Sequence, residues 1–123
     1  MIYVVDDDPS FRRALTRLLW AGGYVVRPYA SAEDFLLDID SLGEGCMILD
    51  INLPGANGFE LQEALVARGI RLPIIFLTGS NDAALGVRAM NSGAVDFLPK
   101  PVDAEVLLAA IRMALACEKT SRT

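Results

Sequence analysis

Five short apolar runs, each separated from the next by a segment of helical periodicity, constrain this chain more than any other feature. The runs are MIYVV (1–5), YVV (24–26), CMIL (46–49), PIIFL (73–77) and VDFL (95–98). They are mostly continuous and rich in β-branched residues, the pattern of strands covered on both faces rather than on one. Between them, Phe11, Ala14, Leu15, Leu18 and Leu19 recur at three- and four-residue steps and stop at Gly22-Gly23. Ser31 with Asp34 reads as a capping box ahead of Phe35, Leu36 and Ile39. The spacing predicts a third helix from Phe59 to Arg68, with Leu61, Leu65 and Val66 inward and Gly69 behind it. Asn81 or Asp82 caps a fourth over roughly 82–92 that ends at Gly93. Asp103 caps the last, which carries Val106, Leu107, Ala110, Ile111, Ala114 and Leu115, a stripe most of which must cover the sheet, and the polar tail Glu118 to Thr123 is expected to fray.

Alternation of this kind implies a parallel sheet with right-handed crossovers and helices on both faces. Five strands are too few for an eight-stranded barrel. The expected fold is therefore α/β, a (βα)5 flavodoxin-like doubly wound parallel sheet with strand order 2-1-3-4-5, whose sites lie at the carboxyl ends of the strands. The 123 residues make one domain, long enough to bury a core without disulfides or structural metals. At 53% hydrophobic but 7% aromatic, that core should be aliphatic.

Sixteen acidic residues against eleven basic ones, a net charge of −5, argue against a reader of nucleic-acid backbones. Cys46 and Cys117 each sit inside an apolar segment and read as small buried thiols in a reducing compartment, not as a disulfide or metal pair. The chain has no histidine, so ordinary zinc sites and His-based triads lack their usual parts, and it cannot itself be a histidine phosphodonor. No apolar run approaches membrane-spanning length and the start has no secretory pattern, which points to a cytoplasmic protein with no membrane contact.

The strand order turns the polar residues into a map. Asp6 and Asp7 follow strand 1, Asp50 ends strand 3, Thr78 follows strand 4 and Lys100 follows strand 5. Each alone has a bland reading: a helix cap or turn former for the aspartates, a turn residue for Thr78, a solvated charge for Lys100. On contiguous strands they converge at one sheet edge. Three carboxylates brought together repel, and a bound cation relieves this. Oxygen ligands without His or Cys favour Mg2+ or Mn2+ over zinc. A lysine and a threonine hydroxyl beside such a cluster fit charge stabilisation on a transferring phosphoryl group, with Asp50 able to accept it as an aspartyl-phosphate. Asp8 directly precedes Pro9 and reads as the N-cap of the first helix; a one-residue slip would make Asp7 and Asp8 the metal pair and remove that cap.

Four stretches in order, VVDDDP, MILDINLPGANGFEL, FLTG and AVDFLPKP, resemble a two-component response-regulator receiver domain, in a match that covers essentially the whole chain. The TG after strand 4 and the wording AVDFLPKP are similar to receivers of LuxR/FixJ-type regulators. The resemblance implies a receiver over 1–117, with 118–123 a polar tail or the start of a linker. It implies that Asp50 takes a phosphoryl group from a sensor histidine kinase, a histidine phosphotransfer protein or a small phosphodonor. Asp6, Asp7, Asp50 and the backbone carbonyl of Asn52 would hold Mg2+, and Lys100 would pair with a phosphate oxygen. Thr78 would donate its hydroxyl and move inward on phosphorylation, with Phe97 turning as an aromatic switch; a plain core role for Phe97 stays open. Asn52 and Ser80 occupy the positions that tune dephosphorylation, and Lys100-Pro101 matches a bond that is often cis.

Such a domain is a switch rather than an enzyme, catalysing only its own phosphotransfer and slow autodephosphorylation. Its output face would be strands 4–5 and their helices, a homodimer surface in many relatives. Transcription would be regulated through an output domain outside this chain, with no direct nucleic-acid binding by the receiver. Three rivals stand beside this reading. A haloacid-dehalogenase-like Mg2+-dependent phosphatase places its nucleophilic aspartate first and its metal acids last, the reverse of the order here. A flavodoxin-like binding module wants a Gly-rich phosphate cradle that is missing. A degenerate receiver, acting only as a binding module, would not need the complete set Asp6, Asp7, Asp50, Thr78 and Lys100.

Overall fold

The computed structural model describes residues 1–121 except 54, 56 and 80–82, with 83 and 117–121 described by their backbone alone. Five strands and five helices alternate: β1 (Ile2–Val5), α1 (Pro9–Ala21), β2 (Val26–Tyr29), α2 (Ala32–Leu37), β3 (Cys46–Asp50), α3 (Gly58–Ala67), β4 (Ile74–Thr78), α4 (Ala83–Asn91), β5 (Asp96–Pro99) and α5 (Ala104–Ser121). All four pairings are parallel and the sheet order is β2-β1-β3-β4-β5. This is the doubly wound flavodoxin-like sheet that the apolar runs predict.

Strand alternation divides the core into two layers. Ile2, Val4, Cys46, Ile48, Ile75 and Leu77 pack with Leu15 and Leu19 of α1 and with Leu107, Ala110, Ile111 and Ala114 of α5. Tyr3, Val5, Met47, Leu49, Ile74 and Phe76 face the other way, onto Phe35 of α2, Leu61 and Leu65 of α3 and Ala89 of α4. Both faces of the central strands are covered, which is why these strands read as unbroken apolar runs.

The second strand lies further along than YVV. Gly22, Gly23 and Tyr24 donate their N–H groups back to α1, Tyr24 to the Leu19 carbonyl, so the apolar run begins inside the helix-ending turn. The strand is VRPY, and Pro28 is tolerated because β2 is an edge strand. The second helix is shorter than its apolar spacing implies: Ile39 falls in a 3-10 turn over Ile39–Ser41. There Ser41 bonds the Asp38 carbonyl through both its N–H and its hydroxyl, while Tyr29 holds the Asp38 carboxylate. Val66, expected inward, is 69% exposed, and Val106 of the last helix's apolar stripe is 49% exposed; each lies at the margin of a stripe already filled by Leu65 and Leu107. Ser31 does cap α2 through Asp34 N–H, and Asp103 bonds the N–H groups of Glu105 and Val106 at the start of α5. Helix α5 passes the 117/118 boundary without a break. Cys46 is buried; the Cys117 side chain, the Asn81/Asp82 cap and Ser80 lie outside the described residues.

Candidate functional site

The site begins where three apolar strands end in acids or their partners. Asp6 follows β1 on the same alternation as Ile2 and Val4, and Asp50 closes β3 on that of Cys46 and Ile48, so both carboxylates belong to the α1/α5 side of the sheet edge. Lys100 follows β5 and reaches them: its Nζ donates to Asp6 Oδ2 at 2.7 Å and to Asp50 Oδ2 at 3.1 Å. The opposite oxygens are held by the backbone, Asp6 Oδ1 by the Asp8 N–H at 2.9 Å and Asp50 Oδ1 by the Asn52 N–H at 3.0 Å. Both carboxylates are buried, and Lys100 is itself mostly covered.

Burial pushes the Asp6 carboxyl above its ordinary value, although Lys100 and the Asp8 amide pull it the other way. Burial also works against the Lys100 ammonium, but its hydrogen bonds to Asp6 and Asp50 outweigh it and leave the lysine above its ordinary value. A cation between two buried acids is the expected outcome of opposite charges held at contact.

Asp7 is exposed, yet one oxygen from each of Asp6, Asp7 and Asp50 falls within 4.8 Å of the others. Three carboxylates face one ammonium there, so the cluster carries surplus negative charge that a divalent cation would neutralise. The donors are oxygens only, the chemistry of Mg2+, Mn2+ or Ca2+ and not of zinc. Asp8 stands apart from this group as a cap: its Oδ1 accepts from Ser10 N–H at 2.9 Å and Phe11 N–H at 3.3 Å, with Pro9 as the first helical residue. The register with Asp6 and Asp7 at the acid cluster is therefore the one the fold adopts.

Thr78 ends β4, fully buried, and its carbonyl accepts the Lys100 N–H at 2.7 Å. Phe97 pairs with Phe76 across β4–β5 and packs against the layer containing Phe76. Thr78 lies two residues beyond Phe76 on the same face, so Thr78 and Phe97 are diagonal neighbours. The Phe97 ring also lies over α4, where a Cβ on Gly86 would meet two of its carbons at 3.3 Å. The Lys100-Pro101 peptide is cis.

Three contributors were missed in reading the sequence. Arg12 Nη1 donates to the Asp6 carbonyl at 2.7 Å and ties α1 to the end of β1. The Phe11 ring lies under Lys100, with Nζ 4.4 Å from its centroid. Gly58, at the start of α3, lets that helix close on the acid-bearing strand: a Cβ there would stand 2.8 Å from the Asp50 carbonyl oxygen. Only the glycine had a sequence signal, its place just after the turn that follows Asp50.

A parallel five-stranded sheet ending in this lysine-bridged acid cluster defines a class, and the comparisons agree with it: the chain belongs to the response regulator receiver domain family, whose profile matches residues 2–112. It is similar to the transcriptional regulatory protein TdiR of Thauera aromatica, 44% identical over 118 residues, covering 96% of this chain and 52% of that protein. The response regulator protein TmoT of Ectopseudomonas mendocina is 43% identical over 115 residues, 94% of this chain and 52% of the relative. Among solved structures, FixJ-N superposes with a TM-score of 0.87 at 35% identity, covering 94% of this chain and 92% of FixJ-N. The chain thus spans about half the length of the curated relatives it matches. Among the described residues no helix is long and apolar enough to cross a membrane.

Proposed function

We propose that this domain is a phosphorylation-operated switch in which Asp50 is the phosphoacceptor. The observation that carries the reading is Lys100 held between Asp6 and Asp50, with the Asp7 carboxylate within reach of both acids. In the transfer, the phosphorus–nitrogen bond of a partner's phosphohistidine breaks as a bond forms from phosphorus to an Asp50 carboxylate oxygen. The imidazole leaves and takes a proton from solvent; with acetyl phosphate the bond broken is phosphorus–oxygen and acetate leaves. Mg2+, or Mn2+ in its place, fits the donor set of Asp6, Asp7, Asp50 and the Asn52 carbonyl and supplies positive charge against the phosphoryl oxygens.

The protein's own groups do the rest. Asn52 N–H and Lys100 orient the two Asp50 oxygens, and Lys100 turns to a phosphoryl oxygen as charge builds there. The Thr78 hydroxyl donates to the same group. The added phosphoryl brings about −1.5 to −2 charges, which reweights two positions of Thr78 and its neighbour Phe97. Asn52 and Ser80, small and polar, offer no strong base at the positions that tune loss of the phosphoryl group. The partner is a sensor histidine kinase or a histidine phosphotransfer protein in the cytoplasm.

The output face is β4, β5, α4 and α5, where Val87 and Val106 are exposed, and a homodimer through it suits a regulator of transcription like TdiR. The domain itself contacts no nucleic acid.

Intact mass after treatment with acetyl phosphate and Mg2+ tests the reading. One phosphate adduct that disappears in Asp50→Asn is expected; an adduct that survives assigns the acceptor elsewhere. Rapid multiple turnover of a phosphomonoester would instead favour a phosphatase.

A further inference from the structure

The Lys100 ammonium has three N–H donors and two carboxylate partners, Asp6 and Asp50. Its remaining side is turned to the face of Phe11, 4.4 Å from the ring centroid, and the lysine side chain is left only 20% exposed. Phe11 reaches this place because the Asp8 cap accepts its N–H and fixes the first turn of α1, while Arg12 in the same turn holds the Asp6 carbonyl. The start of α1 therefore grips both ends of the Asp6–Lys100 pair.

We propose that Phe11 is a positioning residue for Lys100, an aromatic shelf on which the ammonium slides from the carboxylates to the phosphoryl group. This inference rests on Asp50 being the phosphoacceptor. A π face attracts a cation without offering a lone pair, so it keeps the ammonium in the site with no directional bond to break when the ammonium changes partner. A carboxylate or water in that position would hold the ammonium by a directional bond that must break at each transfer. The ring also keeps water from one side of Lys100, which strengthens its interaction with whatever anion it faces. Leucine would preserve the apolar cover and lose the quadrupole; tyrosine would preserve both.

The first measurement is on the unaltered protein: the Lys100 ε-methylene protons should be shifted upfield by the Phe11 ring current in the NMR spectrum. That shift should vanish in Phe11→Leu and persist in Phe11→Tyr. Phosphorylation of Phe11→Leu by acetyl phosphate at saturating Mg2+ should slow about fivefold to tenfold, the size of a partly desolvated cation–π contact, because an ammonium no longer held on the ring is less often in place to meet the phosphoryl group. Phe11→Tyr should recover the rate. Mg2+ titrated calorimetrically should bind Phe11→Leu more tightly, by roughly twofold to fivefold, because a loosened ammonium competes less for Asp6 and Asp50. General damage to the site would weaken both steps together, so slower phosphorylation with weaker Mg2+ binding overturns the proposal. A Lys100 signal without ring-current shift, or a Phe11→Leu rate equal to that of the unaltered protein, also overturns it. If the unaltered protein forms no adduct at all, it is the phosphoacceptor reading that fails.

Discussion

Lys100 and Asp6 are 94 positions apart in the chain, yet Nζ and Oδ2 meet at 2.7 Å in a site where the aspartate is buried. Asp50 shares the same ammonium at 3.1 Å. Removing it, as in Lys100→Met, leaves two buried carboxylates with no counter-charge. Breaking a buried pair costs about 3–5 kcal/mol, and the solvent-facing part of Lys100 places this case at the lower end, about 3 kcal/mol. A divalent cation that binds the native state restores stability by mass action, about 2.7 kcal/mol at a hundredfold excess over its dissociation constant. Urea unfolding in EDTA and in excess Mg2+ checks this: the variant should lose stability in EDTA and regain most of it with Mg2+. Equal stability in EDTA would show that the bridge contributes nothing net.

Asp7 and Asp8 are neighbours with opposite assignments. Asp8 caps α1 through Ser10 and Phe11, so Asp8→Ala should cost about 1 kcal/mol while leaving the Mg2+ dissociation constant within about twofold. Asp7 joins the acid cluster, so Asp7→Asn should weaken Mg2+ binding on the order of tenfold and leave metal-free stability equal or slightly raised, since a repulsive charge is gone. Calorimetric Mg2+ titration and urea midpoints separate the two. Loss of Mg2+ affinity in Asp8→Ala would move the metal pair one residue along the chain.

These residues also mark how far a sequence can be read. Asp6, Asp50, Thr78 and Lys100 were legible because each closes an apolar run, and strand order alone then brings strand ends to one edge. Asp8 was legible from the proline after it. The contacts of Phe11 and Arg12 were not, because they depend on where α1 crosses the sheet, and a phenylalanine at helical spacing reads as core. The second strand was misplaced for a similar reason. Tyr24 has the composition of a strand, but its N–H is used to end α1, and only the pairing of Ile2 with Val26 sets the register. Val66 and Val106 show the coarseness of periodicity: at 100° per residue, the margin of an apolar stripe is open to solvent as often as not.

Gly58 is constrained by space rather than by backbone angles. A methyl group there would meet the Asp50 carbonyl oxygen at 2.8 Å and the Ile51 Cα at 3.0 Å, both backbone atoms that cannot turn aside. Gly58→Ala must therefore push α3 away from β3, at about 1–3 kcal/mol for overpacking. The displaced connection carries Asn52, whose N–H orients Asp50, so acetyl phosphate labelling should slow as well as the urea midpoint fall. A variant with unaltered midpoint and unaltered labelling would show that the connection yields without cost.

Tyr29 sets an alkaline limit at the end of the edge strand β2, where its carbonyl accepts the Asp6 N–H. Its hydroxyl donates to Asp38 Oδ2 at 2.8 Å, tying β2 to the turn after α2. Burial first, then the Asp38 carboxylate, push the phenol from its ordinary 10.0 up to about 12, with Arg27 pulling weakly the other way. In the unfolded chain the proton leaves near 10, so between 10 and about 12 the native state binds more protons than the unfolded one. Stability therefore falls as pH rises through that window and is full below it. Lys100, also raised, adds a loss of the same sign above 10.5, so the tyrosine's share must be taken by difference. Tyr29→Phe keeps the ring against Phe35 and should lose about 1 kcal/mol at pH 8, from the missing hydrogen bond. The gap between the two proteins should then narrow from pH 10 to 11.5 in urea unfolding. A constant gap across that range would mean that the Tyr29 hydroxyl titrates alike in the folded and unfolded chains.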